Sequence, residues 1–94
     1  MTNKNYFSSQ VKLLNELGLH ARPAAKLAQE AQKFSASIKL KYGQREVDAK
    51  SILDILTLAA PGGSTLTLCA KGEDAGEAIA YLSQLFAQRF GEEK

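Results

Sequence analysis

Along these 94 residues the apolar side chains switch repeatedly between a period of two and the helical period of about 3.6. That alternation narrows the possible folds more than any single motif. In Gln10-Val11-Lys12-Leu13, the apolar Val11 and Leu13 share one face of a short strand. From Pro23 to Phe34, residues Ala24, Leu27, Ala28, Ala31 and Phe34 form one helical stripe. Ala36, Ile38, Leu40 and Tyr42 alternate with polar neighbours, and Gly43-Gln44 turns the chain into a third strand around Arg45 to Val47. Ser51-Ile52-Leu53-Asp54 has the form of a helix cap followed by an acid, opening a short helix with Ile52, Ile55 and Leu56 available for burial. Pro61-Gly62-Gly63 stops that region, and Thr65 to Ala70 alternates again. Asp74 and Glu77 make a second cap pair before the stripe Ala75, Ala78, Ile79, Leu82, Leu85, Phe86 and Phe90. The order is βαββαβα. Each strand has one apolar face, which predicts an α+β fold: four antiparallel strands covered on one face by three helices.

The whole chain, residues 1–94, reads as one domain with a loose leader over residues 1–7. A net charge of +2 with scattered lysines argues against a nucleic-acid partner. No stretch approaches the roughly 20 apolar residues of a membrane span. Met1-Thr2-Asn3-Lys4-Asn5 lacks the apolar core of a signal peptide, and a lone cysteine forms no internal disulfide. A cytoplasmic monomer is the expectation. One histidine and one cysteine on different elements make no metal site, and Gly62-Gly63 lacks the pattern of a nucleotide loop, so no cofactor is expected. Cys69 alternates with the core residues Leu66 and Leu68, which predicts an inert, partly exposed thiol on the opposite face.

Chemistry concentrates in Gly18-Leu19-His20-Ala21-Arg22-Pro23-Ala24. Neutral imidazole offers a nitrogen lone pair that can attack phosphorus. A helix start adds unpaired amide N–H groups and partial positive charge, and a guanidinium adds charge-assisted hydrogen bonds to phosphate. Pro23 fits a first helical turn, where its missing N–H has no acceptor to lose. The clash of its ring with the preceding residue would make Arg22 the cap. On the residues alone, a histidine near a helix start is also an ordinary cap or surface residue.

The motif resembles the active-site segment of the HPr family, the histidine-containing phosphocarriers of the bacterial phosphotransferase system. The family pattern G-L-H-A-R-P-A is met without mismatch from Gly18 to Ala24. Val47-Asp48-Ala49-Lys50-Ser51-Ile52-Leu53 is similar to the family's second segment, and Pro61-Gly62-Gly63 stands where the family has a glycine-containing loop. The resemblance spans about Val11 to Phe86. It implies an open-faced β-sandwich in which His20 caps the first helix, accepts a phosphoryl group through Nδ1, and has Arg22 as its partner. Enzyme I would be the donor and enzyme IIA domains the acceptors. Ser51 corresponds to the serine that HPr kinase/phosphorylase modifies. Asp54 departs from the family's usual glycine and sets a carboxylate about one turn from that serine. Apolar residues near the site, Leu19, Leu53 and Leu56, are candidates for partner docking; for Leu53 and Leu56, core packing is the equal alternative. A nitrogen-branch regulatory paralogue would share this chemistry, whereas a non-catalytic α+β binding module would have no need for His20 and Arg22 to be exposed together.

Overall fold

The computed structural model describes residues 5–94. In chain order the elements are β1 (Tyr6–Lys12), α1 (Ala21–Ala31), β2 (Ser37–Tyr42), β3 (Arg45–Asp48), α2 (Ile52–Thr57), β4 (Thr65–Lys71) and α3 (Ala75–Ala87), with a 3-10 turn at Arg89–Gly91. The sheet is antiparallel throughout, in the order β1-β4-β2-β3. Its helix-facing side is built by the expected alternation: Val11 lies opposite Leu66, and Leu40 lies opposite both Leu68 and Val47. Leu13, Leu27, Leu82 and Phe86 close the same core from the loop and helix side. Burying side chains of this size contributes roughly 1.5–3 kcal/mol each. The α+β expectation, with three helices over a four-stranded sheet, matches the observed architecture.

Several local expectations are corrected. β1 begins at Tyr6, so the last two residues of the supposed leader belong to the sheet, and Phe7 packs its ring on Gly76 of α3. Residues 1–4 of that leader lie outside the described residues. Helix α1 ends at Ala31, short of Phe34. Asp74 sits at the cap of α3 but does not cap it. Its carboxylate instead accepts from the N–H groups of Ser35 and Ala36 at 2.9 and 2.8 Å, tying the entry to β2 against the start of α3. Those bonds, Ser35's first, hold the Asp74 carboxyl below the usual carboxylate range. Phe90 leaves the helical stripe, because Arg89 and Phe90 adopt φ of +56° and +53°. It stays buried all the same, edge-on to Phe86 at 4.8 Å between ring centroids. Cys69 faces the helix-free side as expected, yet it is buried rather than partly exposed. The Tyr6 hydroxyl meets its thiol, and that contact is the main reason the Tyr6 pKa is raised.

One buried charge braces the helices. Glu30 of α1 is 3% exposed and accepts from the Tyr81 hydroxyl of α3 and from Lys33, the latter at 2.9 Å, with Lys26 also near. The Tyr81 hydroxyl, then Lys33, lowers the Glu30 pKa, while Glu30 in turn raises that of Tyr81. A depressed carboxylate stabilises the fold above its unfolded pKa and loses that contribution as pH falls through the folded value. A raised phenol does so below its unfolded pKa and loses it as pH rises through the folded value. The brace is therefore strongest between the carboxylate range and about pH 10. Glu30→Gln should flatten both limbs of a stability–pH curve measured by urea denaturation, and an unchanged curve would show that the Glu30 carboxylate does not brace the helices.

Candidate functional site

His20 is the cap of α1, with extended backbone at φ −87° and ψ −171°. Its carbonyl accepts the first helical bond from Ala24 N–H at 3.0 Å, and its own N–H donates to Gly18 at 3.0 Å. The choice between Arg22 and His20 as cap thus falls to His20, and Pro23 occupies the third helical position. No side chain caps the helix and its first turn holds no acid. The N–H groups of Ala21 and Arg22 therefore have no intrahelical acceptor, and none is supplied by other described residues. The Arg22 side chain is exposed and joins no ion pair among the described residues.

The imidazole is 34% exposed, and its two nitrogens differ. Nε2 is buried, 3.4 Å from a Glu92 carboxylate oxygen, without a well-formed hydrogen bond. Nδ1 has no protein partner among the described residues and is the nitrogen left toward solvent. Beside the ring, Glu16, Leu17, Arg22, Phe90, Gly91 and Glu92 help to line an open groove of about 600 Å³.

The loop that delivers His20 is pinned from below. Leu13 and Leu19 donate their N–H groups to Ser64 and Ala60 at 2.8 and 2.9 Å, and Gly63 donates to Leu13 at 2.7 Å. Gly18, at φ +74°, lies so close to Ala60 and Pro61 that a Cβ would collide with the Ala60 carbonyl oxygen. Asn15 is fully buried; its side-chain amide donates to the Arg89 carbonyl at 2.8 Å and to Glu92 at 2.5 Å.

Comparison with known proteins bears directly on this geometry. Residues 7–88 match the family described as "PTS HPr component phosphorylation site". The chain belongs to the HPr family. A phosphocarrier protein HPr of Cupriavidus necator is 50% identical over 80 residues, which cover 85% of this chain and 90% of that one. A phosphocarrier protein NPr of Shewanella violacea is 42% identical, covering 88% of this chain and 91% of its own length. Among solved structures, an HPr from Thermoanaerobacter tengcongensis superposes with a TM-score of 0.89 at 41% identity, covering 94% of this chain and 99% of that one.

Of the other residues that the HPr resemblance singled out, Ser51 is half-buried as the cap of α2, its Oγ accepting from Asp54 N–H at 3.2 Å. Neighbouring Lys50 donates to the Phe34 carbonyl at 2.7 Å and accepts from Gln32 at 2.9 Å, so Ser51 lies by the far end of α1 from His20. Eleven helical residues separate the two ends, about 16 Å at 1.5 Å per residue. Leu53 is 76% exposed and free to meet a partner. Leu56 is half-buried against the core, and Leu19 is wholly inside it, which corrects its assignment to docking. The loop's outward turn shows Leu17 instead, 79% exposed beside the groove. Sequence reasoning passed over Leu17, Asn15 and Glu92, since a turn-forming loop and a polar tail carry no periodic signal.

Gly18→Ala should lower stability by more than about 2 kcal/mol, through both left-handed strain and the collision with Ala60. Denaturant titration tests this, and a variant as stable as the parent would show that the loop is free to move.

Proposed function

We propose that this chain accepts a phosphoryl group from phosphorylated enzyme I on Nδ1 of His20 and passes it to enzyme IIA domains of the sugar phosphotransferase system. The observation that carries this reading is the cap position of His20. Among the described residues Nδ1 has no partner, and neither have the N–H groups of Ala21 and Arg22 in the first turn or the Arg22 guanidinium. In the forward step the Nδ1 lone pair forms a bond to phosphorus as the donor's bond to phosphorus breaks, and the donor keeps that electron pair. Little covalent chemistry remains for the protein beyond in-line positioning and screening of the phosphoryl oxygens. The amides of Ala21 and Arg22 and the Arg22 guanidinium supply that screening. An exposed site suits a carrier, because the acceptor must reach the same phosphorus. Leu17 and Leu53 offer apolar contacts to such partners, and a monomer leaves that surface open.

The likeness to a protein named NPr supports a second reading within the same chemistry, in which the acceptor belongs to a regulatory nitrogen branch.

Incubation with enzyme I and labelled phosphoenolpyruvate should place one acid-labile, base-stable phosphate on the chain and none on His20→Ala, because no other imidazole exists. Retention of label by that variant would refute the assignment. In the same assay Arg22→Ala should fold normally but transfer about one to two decades more slowly, from loss of a charge-assisted contact of about 1.5–3 kcal/mol.

Ser51 is proposed as a poor substrate for HPr kinase/phosphorylase. Its Oγ already serves as the cap, and the Asp54 carboxylate one turn away opposes an added phosphate. Asp54→Gly should be modified faster than the parent, and equal rates in a kinase assay would exclude Asp54 as the obstacle.

A further inference from the structure

The segment after α3 turns back on the site. Left-handed backbone at Arg89 and Phe90 reverses the chain, Gly91 and Glu92 donate to the carbonyls of Gln88 and Arg89, and the Phe90 ring seats against Phe86. The buried Asn15 amide then holds the Arg89 carbonyl and one Glu92 oxygen together. The other Glu92 oxygen lies 3.4 Å from Nε2 of His20. This carboxylate is only 16% exposed in its side chain. A buried Nε2 and a carboxylate held near it form a pair that takes no part in screening the phosphoryl oxygens.

We propose that Glu92 is a positioning residue for His20, holding the Nε2–H tautomer so that the Nδ1 lone pair faces the incoming phosphorus. This rests on the carrier reading above for its consequence, though the contact itself does not. The logic is that of any imidazole whose second nitrogen donates to a carboxylate: the contact selects the tautomer, fixes the ring plane and stabilises the cation that forms on reaction. As Nδ1 bonds to phosphorus, the ring takes up positive charge while Nε2 keeps its proton. The Glu92 carboxylate lies 3.4 Å from that nitrogen, within reach of its proton after a small turn of the ring. Asn15 supplies the rigidity, because both of its amide hydrogens are committed to the returning segment. An exposed glutamate without such an anchor would swing away into water.

The test uses the full chain and two variants. Glu92→Ala removes the carboxylate, whereas Glu92→Gln keeps an acceptor for Asn15 and removes only the charge. Nitrogen-15 correlation spectra of the His20 ring should show Nε2 protonated and Nδ1 bare in the parent. Exchange of the Nε2 proton with water should rise about tenfold or more in Glu92→Ala, with Glu92→Gln between. Phosphorylation by phosphorylated enzyme I should slow about tenfold in Glu92→Ala, the lower range seen when an orienting partner of a metal-bound imidazole is lost. Ring shifts and proton exchange identical in all three proteins would overturn the proposal. Faster phosphorylation of Glu92→Gln than of the parent would also overturn it, since the carboxylate would then act by repelling phosphate. Should enzyme I fail to label even the parent, the ring spectra still decide the contact, and the carrier reading alone falls.

Discussion

Everything at the site hangs on where the two hydrogens of one buried amide nitrogen go. Asn15 sits in the turn between β1 and α1, where its carbonyl accepts from Gly18 at 3.0 Å. Its side chain reaches the far terminus of the chain, to Arg89 and Glu92. A buried amide left without partners is costly, on the order of 1–3 kcal/mol. The loop and the returning segment therefore fix each other. His20 stands between them, with backbone fixed by the loop and ring flanked by the segment.

The helix α1 makes sense in those terms. Its apolar stripe packs Ala24, Leu27, Ala28 and Ala31 into the core, which orients the helix axis. The first turn stays free of acids and side-chain caps, so its amides remain available to an anion. The opposite end is engaged differently: Lys50 and Gln32 fasten α2 there, with Ser51 in the next position. Two chemically interesting residues thus occupy opposite ends of one short rod.

Most of the fold was legible because strand and helix periods leave plain tracks in the sequence. Ile38, Leu40, Leu66 and Leu68 alternate as their burial requires, and the stripe of α3 is buried down to Phe86. The place of His20 and Arg22 at the start of a helix was legible from Pro23 and the turn before it. What escaped depends on long-range partners. Asp74 has the form of a cap, yet the N–H groups of Ser35 and Ala36 compete for it from across the fold. Leu19 stands next to His20 and so was a docking candidate, but its N–H donates to Ala60 and its side chain lies in the core. Cys69 lies on the polar face of an alternating strand, and only the pairing of Tyr6 with Lys71 brings an aromatic ring over it. Asn15 and Glu92 read as turn and tail because neither shows a period.

The strand order has a consequence for when the site can exist during folding. The β2–β3 hairpin closes across two residues, between Tyr42 and Arg45, whereas β1 finds β4 only by joining Tyr6 to Lys71. Loop closure over so much chain costs more entropy than a hairpin turn. The His20 loop begins where β1 ends, and it is anchored to the loop that precedes β4. Helix α1 has eleven residues, too few to persist alone in water. A peptide carrying the Gly18–Ala24 motif would thus contain the His20 imidazole without the amide cradle beside it. The amide cradle is a property of the closed sheet, and it arises with the most distant strand pairing among the described residues.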